Sequence, residues 1–367
     1  SAKTSGIPAR PNAQALIING NMDVWQRGTA TVTTTGDYVG VDRFRINEDT
    51  DGSYSTQRHT MSNAEFNTTG FGYALQADCT GTDASIGATQ SAEIVQKIEA
   101  QNLQLLQYGT SNAKNVTLSF WVKSSKTGTY CIHIRKEDST AYKIPIEYSI
   151  SSADTWEKKV INISPTAGST SFITSSAGAI ANDNGVGFYL SFVLAMGSDY
   201  HGTNNTWSSG SALATSNQVN WMDNTNNNFY LTGVQLEVGE YTSSTLPPFQ
   251  HESYGDNLAR CQRYFQEYIG EDQEWIYNEG NGANMKWWQL YFLGTQLRVA
   301  PSMSFSSGWT GGTGGGGLNG TVDSMSCATS MNRATCRVTY SATGGTAHYL
   351  YHADCFDGQS AFMDAEL

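Results

Sequence analysis

The sequence predicts an all-β protein: an N-terminal jelly-roll β-sandwich, a short linker helix and a smaller C-terminal β-sandwich. Three observations carry this. The composition combines 37 Gly, only 7 Pro, 15% charged and 11% aromatic residues among abundant Ser, Thr and Asn, which suits sheet joined by polar loops rather than disorder. Seven or more short runs of alternating apolar residues follow one another without helical interludes, the pattern of a sandwich or barrel. Finally, the stretch from Phe229 to Phe265 joins a strand, a Pro247-Pro248 linker and an amphipathic segment, marking where one domain ends and another begins.

The elements follow in order. Residues 1–14 are polar, contain Pro8 and Pro11, and form an arm. Structure begins at Leu16-Ile17-Ile18, read as a first strand, and continues through runs at Tyr38 to Ile46, Ser53 to Arg58 and Gly72 to Ala77. Glu93 to Gln107 reads as a strand followed by a helical turn. Val116 to Lys123 alternates Val116, Leu118, Phe120 and Val122, and Thr129 to Arg135 alternates Tyr130, Ile132 and Ile134. Trp156 to Ile163, Gly187 to Met196 and Phe229 to Glu237 complete the first domain, with a slip at Thr232-Gly233 that predicts a bulge. The runs at Leu16 and Phe229 bracket the domain as if paired, which selects the jelly roll.

From Tyr254 to Tyr268 the residues Leu258, Cys261, Tyr264, Phe265 and Tyr268 recur at spacings of three and four, predicting one helix with its apolar side packed. Strands then follow at Met285 to Leu293, Thr295 to Val299, Pro301 to Phe305, Val322 to Cys327, Ala334 to Tyr340 and Thr346 to Tyr351. A Gly-rich loop, Gly311 to Gly317, interrupts them, and the terminal FMDAEL joins the last strand. The resulting division is an arm at 1–14, the jelly roll at 15–249, the linker and helix at 250–270, and the C-terminal domain at 271–367, which fits a chain of 367 residues.

Net charge is −12 with 21 Lys and Arg against 33 Asp and Glu, so a nucleic-acid partner is not expected. No apolar run approaches the length of a membrane span, and the first thirty residues lack the charged and apolar regions of an export signal, so a soluble chain without membrane insertion is expected. Cys79, Cys131, Cys261, Cys327, Cys336 and Cys355 show no metal-ligand spacing and read as reduced, buried residues, with one bridge left open among the last three.

Several segments together resemble phage tail-fibre and receptor-binding virion proteins that carry a carbohydrate-binding-module-like jelly roll. They are INGNMDVWQRGT at Ile18 to Thr29, Asp42-Arg43-Phe44, NVTLSFWVK at Asn115 to Lys123, Trp156, the junction LTGVQLEVG, PFQHESYGDNLARCQRYF, the run Leu297 to Ser302, and the terminal Asp364 to Leu367. The resemblance spans nearly the whole chain. It implies a non-enzymatic fibre or spike subunit of the virion, a homotrimer that recognises host-surface glycans and meets other virion proteins through its N-terminal arm. Its acidic residues for a structural calcium are not matched at LTGVQLE, so no cofactor or metal is assigned.

Asp23, Asp42, Glu48, Asp49 and Asp51 are the carboxylates a hydrolase could draw on, but nothing in their spacing joins them in space. The histidines are scattered, and no Ser or Cys has a nucleophile elbow. Aromatics in polar loops are the better lead, because an indole can cover the C–H face of a sugar while Asn, Asp or Gln bond its hydroxyls. Trp207, Trp221, Trp275 and Trp309 are the glycan-binding candidates, and Trp287, Trp288 and Tyr291 the candidates for a subunit interface. The function expected is host-cell attachment. Its alternatives are a structural or adaptor virion protein and a polysaccharide depolymerase.

Overall fold

The computed structural model describes residues 15–33, 38–269, 274–278, 285–292, 295–299, 301–305, 310–312, 320–321, 324–327, 335–342, 350–354 and 360–367. The expected arm at 1–14 lies outside them. The chain divides into two compact units, Ser1–Tyr254 with Leu367, and Gly255–Glu366.

The first unit contains β1 (Phe44–Glu48), β2 (Ser53–Thr60), α1 (Asn63–Thr69), β3 (Tyr73–Gly81), β4 (Ser91–Glu99), β5 (Val116–Ser124), β6 (Gly128–Lys136), β7 (Tyr142–Ile150), β8 (Glu157–Ile163), β9 (Val186–Met196) and β10 (Asn228–Val238). Two five-stranded sheets result, in the orders β1-β4-β9-β6-β7 and β2-β3-β10-β5-β8. The chain passes repeatedly from one sheet to the other, and every pairing is antiparallel. This is a jelly-roll β-sandwich.

Alternation builds the core between the sheets. Val116, Leu118, Phe120 and Val122 of β5 are fully buried, and they meet Ile132, Ile134, Leu190 and Phe192 from the opposite sheet. Phe120 lies edge-to-face against both Phe192 and Tyr148, at 5.0 and 5.2 Å, the preferred geometry for aromatic pairs.

The predicted first strand is instead a folded plug. Residues 16–19 form bends and 20–21 a turn, with Ile17 and Ile18 buried. The Asn19 side chain donates to the carbonyls of Val24 and Asp42 and accepts from the Val24 amide. These internal bonds replace a ladder. The plug still reaches the last strand, because the register of β10 shifts between Thr232 and Gln235 and the freed Val234 amide donates to the Gly20 carbonyl at 2.9 Å. Gly233, with φ +62, supplies the left-handed residue of this predicted bulge.

Other expectations shift for identifiable reasons. The run at Tyr38 to Ile46 becomes strand only from Phe44. Strand β7 was not anticipated, since Pro145 argues against a strand interior; it lies at a sheet edge, where a missing amide is tolerated. Helix α1 was also missed despite its capping box, in which Ser62 and Glu65 bond each other's backbone amides.

The second unit holds α2 (Tyr254–Gln262), β11 (Phe265–Ile269), β12 (Glu274–Asn278), β13 (Met285–Phe292), β14 (Ser302–Phe305), β15 (Thr310–Gly312), β16 (Gly320–Thr321), β17 (Ser324–Cys327), β18 (Thr335–Ala342), β19 (Leu350–Asp354) and β20 (Ser360–Asp364). Among the described residues they form a three-stranded sheet, β11-β20-β14, and a seven-stranded one, β16-β15-β19-β12-β13-β18-β17. The helix ends earlier than its periodicity predicts. Cys261 is buried and Leu258 only half-buried, while Phe265 begins β11 and pairs with Asp364. Residues 295–299 are not strand; there Arg298 donates to the carbonyls of Ala365 and Glu366, tying that run to the chain's last residues.

Candidate functional site

Trp207 and Trp221 cannot serve as exposed glycan platforms, because they are 1% and 0% exposed. Each indole N–H is satisfied internally, Trp207 by the Ser164 carbonyl at 2.8 Å and Trp221 by the Asn228 carbonyl at 3.2 Å. Edge contacts with Tyr108 and Tyr54 complete their burial. Polar flanks led to the opposite expectation, yet loop carbonyls are what a buried indole needs. Trp275 sits on β12 opposite His352, while Trp287, Trp288 and Tyr291 sit on β13 opposite Tyr340, Thr339 and Cys336. The exposure expected of Trp275 and the interface expected of these three lie outside what is described, as does Trp309.

Three of the carboxylates considered for hydrolysis, Asp42, Asp49 and Glu48, hold loops. Asp42 accepts from the Gln26 amide and side chain, Asp49 from the amide of Ser91, and Glu48 from that of Thr50. Among the described residues no group of three or more His, Cys, Asp or Glu side chains is placed to hold a metal ion. Cys79, Cys131 and Cys261 are buried thiols; the bridge left open among Cys327, Cys336 and Cys355 lies outside the described side chains.

Polar chemistry gathers on the outer face of the β1-β4-β9-β6-β7 sheet. Inward positions are taken by Ile94, Ile98, Ile132, Ile134, Leu190 and Phe192, so the intervening residues face outward. Strand register aligns them in rows. Asn47, Glu93, Val193, Cys131 and Glu147 form one, and Arg45, Val95, Ser191, His133 and Pro145 the next. Lys97, Tyr189, Arg135 and Lys143 form the third.

Residues 197–220 fold over the first row. Thr215 donates to Glu147 at 2.6 Å and Ala214 packs with Cys131, Val193 and Met196, while the same segment reaches the third row, where Ser208 makes a bridge with Lys143. The second row is covered, with Val95, Ser191 and His133 no more than 4% exposed. Half-buried side chains of the third row stand along its other side.

Glu93 and His133 pair across β9 at 2.9 Å. Burial alone would raise the Glu93 carboxyl, but bonds from His133, Asn47 and Ser191 outweigh it and hold the group below the usual carboxylate range. In the third row, Lys97 Nζ and the Arg135 guanidinium lie 5.3 and 5.0 Å from the Tyr189 ring centre, within cation–π range. Arg135 is itself held by Glu137 through two contacts of 2.5 and 2.7 Å. The face thus offers hydrogen-bonding heads beside the half-buried ring of Tyr189, the combination that a sugar's hydroxyls and C–H groups require.

The other sheet carries a network with a different role. Glu65 of α1 accepts from Lys123 at 2.7 Å and from the Trp156 indole and His59 at 3.1 Å. Lys123 also sits 4.1 Å from the Tyr230 ring centre. These groups satisfy one another and fasten α1 to the sheet.

Comparison with known protein families finds no match, and comparison with characterised proteins finds none either. Among solved structures the chain is similar to a Bacteroides thetaiotaomicron protein designated sugar-binding, at 14% identity and a TM-score of 0.34, over 61% of this chain and 100% of that one. It is also similar to a family 61 carbohydrate-binding module in complex with β-1,4-galactotriose, at 12% and 0.29, over 62% and 99%. A third is the enzymatically active domain of tailspike protein 4 from bacteriophage CBA120, at 10% and 0.29, over 61% and 21%.

The residues of the three rows were not singled out by the sequence. Their signal was present as polar residues at alternate positions, Glu93 and Lys97, His133 and Arg135, Tyr189 and Ser191. Which strands would lie side by side was not.

Proposed function

We propose that this protein is a non-enzymatic virion fibre or spike subunit that attaches a phage to its host by binding surface glycans, and that the outer face of the β1-β4-β9-β6-β7 sheet is the binding surface. The observation that carries the reading is the aligned row Lys97, Tyr189, Arg135 and Lys143. Long polar side chains facing outward on four adjacent strands contribute little to the sandwich core, and they present donors at regular strand spacing to an extended polymer. Binding without hydrolysis suits Glu93, whose carboxylate is already engaged by His133 and Asn47.

Tyr189→Ala is the test. The variant should fold, judged by its melting temperature, and lose adsorption to host cells. If it folds and adsorbs like the parent, the reading of this face is wrong and a structural or adaptor role takes its place.

A further inference from the structure

Arg135 and Lys143 are directly opposed on neighbouring strands, and Lys97 lies in the same row across Tyr189. Arg45 stands in the adjacent row. Directly opposed like charges destabilise a sheet, and this gathering occurs in a chain whose net charge is −12. The strain registers at Lys143, where burial and then the Arg135 guanidinium push the ammonium below the ordinary lysine range, with Glu137 pulling the other way.

The carboxylates on this face do not dissolve the arrangement. Glu93 is turned to His133 and Asn47, and Glu147 accepts from Thr215 and Asn217. Glu137 forks onto Arg135, fixing the plane of the guanidinium. Lys143 donates to the carbonyl of Gly210, which carries no full charge to balance it. Lys97 already donates to the Leu367 carbonyl oxygen, so the opposed pair is Arg135 and Lys143, which among the described residues share Glu137 as their facing carboxylate.

We infer that the glycan bound on this face is acidic, its anionic group seated against Arg135 and Lys143 and the adjoining sugar lying along Tyr189. A carboxylate or a phosphate relieves the opposed charges, and either accepts bonds from a guanidinium and an ammonium together. This rests on the proposed glycan-binding face and adds the charge of its ligand. The net charge of −12 does not oppose it, because a local field and not the molecular net charge acts on a bound group.

The experiment immobilises a panel of bacterial surface polysaccharides in three states: native, carboxyl-reduced and dephosphorylated. Binding of the full chain is measured at low and high salt for the parent, for Arg135→Gln with Lys143→Gln, and for Tyr189→Ala, each checked for folding by its melting temperature. The double variant should bind native polysaccharide at least roughly tenfold more weakly, a loss of about 1.4 kcal/mol, and parent binding should weaken as salt rises. Loss of parent binding on carboxyl reduction assigns a carboxylate, and loss on dephosphorylation a phosphate; either supports the inference. If both treatments and the double variant leave binding unchanged while Tyr189→Ala abolishes it, the binding face stands and its acidic ligand is refuted. If no polysaccharide binds, or Tyr189→Ala binds like the parent, both fall.

Discussion

Glu65 gathers five donors: Lys123, the Trp156 indole, His59, and the Ser62 amide and hydroxyl. Burial pulls its carboxyl upward, but these bonds win and hold it well below its ordinary value of 4.5. A carboxylate depressed in the folded state contributes stability above its unfolded pKa, and that contribution fades as pH falls through and below that value. Thermal melts of the parent and of Glu65→Gln should therefore differ most above about pH 5 and converge in acid; a gap that stays constant from pH 7 to 3 contradicts this account. Trp207 and Trp221 make a second residue-scale prediction. Both indoles are buried with their N–H groups satisfied, so replacement by Ala should cost about 3 to 5 kcal/mol in urea unfolding. Variants as stable as the parent would return these residues to the surface.

At the scale of elements, the bulge in β10 and the N-terminal plug depend on each other. A methyl group on Gly20 would come within 2.1 Å of the Val234 carbonyl oxygen, and one on Gly233 within 2.5 Å of the Phe71 ring. Gly20→Ala must push backbone from backbone and detach the bond that satisfies the Val234 amide, which predicts a loss of about 1 to 3 kcal/mol, toward the upper end. Gly72→Ala is the control, since nothing lies within 4 Å of the added carbon; equal losses for the two would refute a specific lock. The alternation in β5, β6 and β9 was legible because each strand buries one full face. Strand β7 was not, because Pro145 is tolerated only by virtue of its edge position, which belongs to the sheet and not to the segment. Helix α2 was overextended because Tyr264 and Phe265 continue its apolar spacing, although pairing with β20 draws Phe265 into strand.

For the whole molecule, the attachment reading requires many weak sites acting together. We propose assembly as a homotrimer, as the resemblance to fibre proteins implies. Light scattering at micromolar concentration should give three times the monomer mass, and a stable monomer would remove this part of the proposal. The two compact units each carry their own sheets.

The sequence by itself determined the all-β class, most strands of the jelly roll, the bulge at Gly233 and the placement of a helix after the Pro-Pro linker. These follow from alternation, turn residues and backbone restrictions, which act over a few residues. Tertiary structure alone decided which polar residues share a surface. Lys97, Arg135, Lys143 and Tyr189 lie on four separate strands and meet only through sheet order and register. It also decided that two tryptophans in polar loops are core, because the fold brings a backbone carbonyl to each indole, from Asn228 at the start of β10 for Trp221 and from the distant Ser164 for Trp207, and the flanking residues do not set that closure.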